Sequence, residues 1–313
     1  MASSDGLNWP TGKSAPALRR RAKPLLGTLV AIGIEAPSEA AFVRATDSAF
    51  ARVADVHRLM SFHEPGSELR AIARARAGVA LQVSADTARV LRLALDMELR
   101  SGGLFNAAIA PALVANGRLP MPTDAQAPCA QSLAEGIEWL AADRLRVRAP
   151  VWIDLGGIAK GYAVDCAVVA LQASGVATGL VNAGGDMRAF GPAAHPVHLR
   201  FADGLRPVAM LQDAALAASC NADGGLDDAQ RSGSAHIDPR SGHGVRVPQS
   251  VMVQACSAAV ADALTKVALL CPATAHRMCG SLRAEWRAFD HGAGQPRPAF
   301  AHPATPALEP GRS

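Results

Sequence analysis

The paired glycines Gly156 and Gly157 constrain this chain more than any other feature, because of what flanks them. Val151-Trp152-Ile153 reads as a short strand, and Asp154-Leu155 leads from it into the glycines. Ile158–Ala173 then carries a helical pattern with Lys160 in its first turn and a stop at Ser174-Gly175. A strand, a Gly-rich turn and a helix N-terminus together form an anion site. Glycine lets backbone approach a phosphate, the first helical N–H groups are free to donate, and the dipole favours negative charge. Lys160 adds a cation at that spot. A bare Gly-Gly fits an ordinary tight turn with a solvated lysine equally well; Asp154 before it and Ile158-Ala159-Lys160-Gly161-Tyr162-Ala163 after it sharpen the anion-site reading.

The remaining elements set the fold class. Leu25–Ile34 reads as a strand. Ser38–Met60 places Phe42, Ala45, Ala49, Phe50, Val53 and Val56 at the helical period. Ser84–Arg100 reads as a second helix, with Ser84 as N-cap and Ser101-Gly102 as stop. Residues 117–150 form a turn-rich connection with short strands. Strand-like runs follow at Ala177–Asn182, His198–Phe201, Val208–Gln212, Ala214–Ser219 and Gln249–Ala255, then a helix at Ser257–Leu270 and a strand at Arg283–Asp290. Many strands succeed one another with no helix between them. That pattern predicts an α+β fold with mixed, largely antiparallel sheets and packed helices. Residues 1–22 read as a disordered basic tail, 23–291 as a single domain, and 292–313, with five prolines, as a loose tail.

Composition excludes some partners. Half the residues are apolar, 19% are charged and the formal net charge is +4, so a sizeable core is available. Part of the positive charge is the cluster Arg19, Arg20, Arg21 and Lys23. No basic stripe with interleaved aromatics occurs, so no nucleic-acid partner is expected. No run is long enough to span a bilayer. Six cysteines lie far apart with no Cys-x-x-Cys, which predicts buried thiols in a reducing compartment over a disulfide framework.

Seven short boxes occur in order along the chain: Leu26-Gly27-Thr28, Met60–Leu69, Ser101–Asn106, Asp154–Gly161, Asn182–Asp186, His236–Gly242 and Ala261–Leu264. This succession resembles the ApbE family of flavin transferases (FAD:protein FMN transferases). The resemblance implies an enzyme that moves the FMN half of FAD onto a Thr or Ser hydroxyl of an acceptor flavoprotein and releases AMP, with Mg2+ as cofactor. FAD and an acceptor protein carrying the Thr/Ser site are then the partners. A twin-arginine export signal at Arg19-Arg20-Arg21 is an alternative reading of the N-terminus. We prefer a basic tail leading into the first strand, and a cytoplasmic location, because the apolar stretch that follows contains the Gly27-Thr28 box.

The chemistry is attack by an alcohol on a pyrophosphate phosphorus. It needs pyrophosphate charge held, a hydroxyl deprotonated and the flavin positioned. Gly156, Gly157 and Lys160 are the expected phosphate contacts, and Asp154 binds a hydroxyl or caps the helix. Met60 and Phe105 are expected beside the flavin, with Asn106, Asn182 and Gly185 lining the pocket. His236 is the catalytic base that the resemblance implies, and an imidazole titrates near neutrality; alone, it would more often be structural.

The resemblance places the metal between Ala159 and Asp262, with a Thr four residues after the Asp. Here that position is Lys266, and Thr265 precedes it. Both spacings share a helix face with Asp262. We therefore expect Ala159, Asp262 and Thr265 to hold the metal, with Lys266 turned to phosphate or solvent. The other possibility is that the Lys266 ammonium sits against Asp262 and replaces metal charge. Two further functions stay open: an FAD-binding protein that does not transfer, and an FAD pyrophosphatase yielding FMN and AMP.

Overall fold

A computed structural model describes residues 18–201, 204–220, 236–245 and 249–290. The chain opens with a hairpin of β1 (Arg19–Leu25) and β2 (Thr28–Ile34). Leu26 and Gly27 make its two-residue turn with φ of 56° and 69°, the left-handed pair that suits twisted strands. The expected tail boundary at residue 22 therefore falls inside a strand. The basic cluster is also structural. Arg19 pairs with Glu39 at 2.6 Å and Arg21 with Asp47 at 2.8 Å, while Arg19 lies over Phe42 and Lys23 over Phe50.

Those partners sit on α1 (Glu39–Met60), whose N-terminus is capped by Ser38 Oγ accepting from Ala41 N. Next come α2 (Glu68–Arg74), β3 (Ala80–Gln82) and α3 (Ala85–Ser101). Ser84 caps α3, and Gly102 ends it at φ 64°. A 3-10 turn at Ala107–Ile109 runs into α4 (Ala110–Ala115), followed by α5 (Leu133–Gly136), β4 (Ile137–Trp139) and β5 (Arg144–Val147). Then come α6 (Ala159–Ala173), β6 (Gly179–Ala183), β7 (Asp186–Phe190), β8 (His195–Phe201), β9 (Gly204–Leu211) and β10 (Ala215–Cys220). After β11 (Gln249–Ala255), α7 (Ala258–Leu270) and α8 (Pro272–Leu282), β12 (Glu285–Asp290) closes the described chain.

The main sheet has seven strands in the order β1-β2-β6-β7-β10-β11-β12, every neighbouring pair antiparallel. Two small antiparallel sheets, β3-β5-β4 and β8-β9, stand apart from it. The expected α+β class holds. The main core lies between the large sheet and the layer of α1, α6 and α7, with Val30, Ile32, Val53, Val164, Val181, Val253 and Leu264 fully or almost fully buried. Helices α6 and α7 cross very closely. A Cβ on Gly161 would stand 2.2 Å from Ala258 O, so this position admits no side chain.

Several sequence expectations shift. Val151–Ile153 is buried extended chain but joins no ladder; Asp154 N donates instead to Ala107 O at 2.8 Å. The strand expected at Leu25–Ile34 is the second arm of the first hairpin. Strand β7 and helices α2, α4 and α8 were not foreseen. Cys129, Cys166, Cys256, Cys271 and Cys279 are free thiols, and Cys279 alone of these is buried, whereas Cys129 and Cys256 are exposed. No described helix is long and apolar enough to cross a membrane.

Candidate active site

Six chain segments converge on one cavity of about 410 Å³. The Gly156-Gly157 turn and Lys160 form one side, and Asp154 sits beneath the turn. Gly184 and Asp186 come from the β6–β7 turn, Ser219 from β10 and Lys266 from α7. His236, Ile237 and Pro239 close the far side, and Leu104, Phe105, Ile109 and Leu113 supply an apolar wall.

The β6–β7 turn explains why two boxes of the sequence occur together. Gly184 and Gly185 take φ of 64° and 103°. A Cβ on Gly184 would lie 2.6 Å from Thr28 Oγ1, so a second reason for glycine comes from the neighbouring hairpin. Asn182 Oδ1 accepts from Gly185 N at 3.0 Å and braces the turn. Asn182 and Gly185 thus shape the pocket from behind, and Gly184 is the residue that lines it.

The start of α6 differs from the expected backbone cradle. Gly156 N donates to Asp154 Oδ2 at 3.0 Å, Ala159 N to Leu155 O at 2.8 Å and Gly161 N to Asp262 Oδ2 at 3.4 Å. These N–H groups are spent within the protein, so the positive charge facing the cavity comes chiefly from two ammonium groups.

Lys160 Nζ donates to Gly156 O at 3.3 Å and Asp262 Oδ2 at 3.4 Å. It also lies 2.9 Å from Asp186 Oδ2, an ion pair off the hydrogen-bonding direction, so that buried oxygen keeps a lone pair without a hydrogen-bond donor. Lys266 Nζ donates to Asp262 Oδ1 at 2.6 Å and to Ser219 Oγ and Thr265 Oγ1, each at 3.0 Å. Asp262 itself has no exposed surface and stands behind the two lysines.

These pairings set the protonation states. Burial pushes the Asp186 carboxyl up to about 6, with the Asp262 charge adding to it and Lys160 opposing it. Burial would raise Asp262 too, but Lys160 and Lys266 more than reverse this and hold it below the usual carboxylate range. Burial alone would lower the Lys160 ammonium; Asp262 and Asp186 outweigh that and keep it protonated well beyond neutrality. Asp154 is raised by burial, against the Gly156 N–H and the Lys160 charge.

Other expected residues divide. Phe105 and Asn106 line the cavity, but the Asn106 amide is occupied: Oδ1 accepts from Ala108 N and Nδ2 donates to Gln131 O, both at 2.8 Å. Met60 is buried in the main core and does not line the cavity, because it ends α1 on that helix's inward face. His236 lines it, at the base of a loop in which Val245 N donates to His236 O and Gly242 N to Asp238 O, each at 2.8 Å. Asp238 turns away to grip Arg240 at 2.7 Å. Asp186, the end of the Asn182–Asp186 box, lines the cavity too, as does Ser219 of the expected strand Ala214–Ser219.

The metal set fails a test of fit. Thr265 Oγ1 donates to Asp262 O at 2.7 Å, accepts from Lys266 and shares a 2.7 Å hydrogen bond with Ser219 Oγ. With its proton on Asp262 O, both its lone pairs are used. Both oxygens of Asp262 also carry ammonium donors. The expectation that Lys266 turns to phosphate or solvent is therefore corrected: its ammonium lies between Asp262 and Thr265, where the metal was expected, because a four-residue spacing brings it back over Asp262. Ala159 does not line the cavity.

Known proteins resemble the chain both in sequence and in fold. The chain is 28% identical to an FAD:protein FMN transferase of Rhodobacter capsulatus over 254 residues, 76% of this chain and 49% of that protein. It is 27% identical to one of Haemophilus influenzae over 150 residues, 44% of this chain and 43% of that protein. The chain thus spans about half the length of the curated relatives it matches. In fold it is similar to the flavinyl transferase ApbE of Pseudomonas stutzeri, with a TM-score of 0.72 at 18% identity over 87% of this chain and 91% of that one. The Vibrio cholerae flavin transferase ApbE gives 0.71 at 21% identity, covering 87% and 94%. A cavity lined by four of the seven sequence boxes, with Lys266 two residues beyond a fifth, on this fold, accompanies a match of residues 26–288 to the model of the ApbE family, and to that family the chain belongs.

Proposed function

We propose that the chain is an FAD:protein FMN transferase. FAD binds with its pyrophosphate against Lys160 and the Gly156-Gly157 turn, and its flavin against the apolar wall at Phe105. The hydroxyl oxygen of an acceptor Thr or Ser attacks the phosphorus on the FMN side. A new P–O bond forms, the bridging P–O bond breaks and AMP leaves. The hydroxyl proton passes to His236. The observation carrying this reading is the cavity itself: two buried-rooted ammonium groups on one side and an imidazole on the other. Magnesium is not part of the reading, because the residues that would hold it are engaged with Lys266.

The phosphate contact is tested by Lys160→Ala. Loss of one charge-assisted contact costs about 1.5–3 kcal/mol, roughly ten- to a hundred-fold in FAD affinity. FAD fluorescence titrated against the folded variant measures it, and unchanged affinity refutes the assignment. A second reading, FAD binding without transfer, is favoured by the position of Lys266. Intact-mass analysis of candidate acceptor proteins incubated with the chain and FAD separates the two: a mass gain of one FMN supports transfer.

A further inference from the structure

We propose that Lys266 is the built-in counter-cation of this site, so that FAD binds here without any divalent metal; this rests on the flavin reading above. The geometry carries it. An ammonium has three protons to give, and Lys266 gives all three to oxygens arranged around one point: Asp262 Oδ1, Thr265 Oγ1 and Ser219 Oγ. A hard divalent cation seeks oxygen donors of the same kind, but more of them and without competing positive charge. Here a second ammonium, Lys160, already holds the other oxygen of Asp262 at 3.4 Å. An ion placed at Asp262 would meet both.

The arrangement is also fixed in place. Asp262 and Thr265 have no exposed surface, and the lysine stem runs past Gly157, where a Cβ would meet Lys266 Cγ at 3.4 Å. Lys266 keeps its ammonium on the cavity side of that buried pair and is itself about one-fifth exposed, at 20%. A ligand's phosphate thus meets a fixed positive charge whose position needs no ion from solution. Ser219 serves as the hinge between them. Its hydroxyl accepts from Lys266 and bonds Thr265, and it lines the cavity.

The test uses the full chain and two probes, FAD and Mn2+. FAD affinity is measured by fluorescence in EDTA and in millimolar magnesium, and Mn2+ binding by electron paramagnetic resonance with and without FAD. The parent protein should bind FAD equally in both buffers and take up no stoichiometric Mn2+. Lys266→Thr should lose about tenfold or more of its FAD affinity in EDTA, recover it with magnesium and bind one Mn2+. A parent protein whose affinity falls tenfold in EDTA, or that binds one Mn2+ with or without FAD, overturns the proposal. So does a Lys266→Thr protein that binds FAD in EDTA as the parent does. The parent arms decide even where the variant does not fold. Absence of FAD binding in both buffers refutes the flavin reading instead, while the Mn2+ arm still judges Lys266.

Discussion

Two carboxylates, Asp262 fully buried and Asp165 half-buried, sit at opposite ends of one helix crossing, and they are built in opposite ways. Asp165, on α6, accepts from Ser257 Oγ at 2.8 Å, from Ala258 N and Ala259 N at 3.0 and 3.1 Å, and from Arg188 at 2.7 Å. It closes the start of α7, spending the free N–H groups of that helix on one anion. Asp262, on α7, accepts one distant backbone N–H, from Gly161 at 3.4 Å, and is otherwise held by two lysine side chains. The backbone donors around Asp165 do not line the cavity, whereas the two ammonium groups that hold Asp262 do. The first end is a joint, and the second is a floor from which a ligand can borrow charge. Asp186 marks the same contrast, with a buried oxygen lacking a hydrogen-bond donor beside Lys160.

The sharpest way to break this comparison is at His236, across the cavity from the lysines. If the open end is catalytic, His236→Ala should keep FAD affinity and lose transfer by a factor of about 10²–10⁴. The imidazole acts on the acceptor's hydroxyl proton, which is absent from the binary complex with FAD. Transfer at the parental rate in the variant would remove His236 as the base.

The closed end should respond in the other currency. Asp165→Ala removes the carboxylate that accepts from the Ser257 hydroxyl and from the first N–H groups of α7, and it leaves Arg188 without this partner. A stability loss of about 3 kcal/mol is expected, the scale for breaking a largely buried hydrogen-bonded pair. Urea titration measures it, and the folded fraction should bind FAD as the parent does. A variant that is stable but binds FAD poorly would show that the two ends are one functional unit.

Much of this was legible in the sequence, and the failures have physical reasons. Helices α1, α3 and α7 were found within a residue because Ser38, Ser84 and Ser257 cap them and their apolar period is regular. The Gly156-Gly157 turn, Lys160, Phe105 and His236, singled out in the sequence, all line the cavity. Val151–Ile153 was misread because apolar, β-branched extended chain looks the same whether or not a neighbour completes the ladder. Met60 carried no signal separating a flavin contact from a core side chain. The lysine network was the deepest gap. Spacing along α7 put Thr265 and Lys266 near Asp262, but which of them reaches the carboxylate depends on Ser219, which comes from another strand.

A third carboxylate separates the two ingredients. Glu98, on α3, is 5% exposed and accepts from Leu133 N at 3.1 Å at the start of α5, with the charge of Glu135 adding to the effect of burial. Burial raises its pKa, and the backbone donors at Leu133 and Ala134 offset this only in part. The folded form therefore binds the proton more tightly than the unfolded chain does. Its contribution is fully present below the unfolded value of about 4.5 and is lost as pH rises through the higher folded value. Glu98→Gln has no charge to bury. Its stability relative to the parent should rise with pH across that window and then level off, by on the order of 1 kcal/mol, the net scale of one hydrogen bond. Parallel urea titrations from pH 4 upward measure the difference. A flat difference would mean that the backbone donors fully offset burial at Glu98. A rising one means that they do not, whereas at Asp262 two lysines hold a fully buried carboxylate below its usual range.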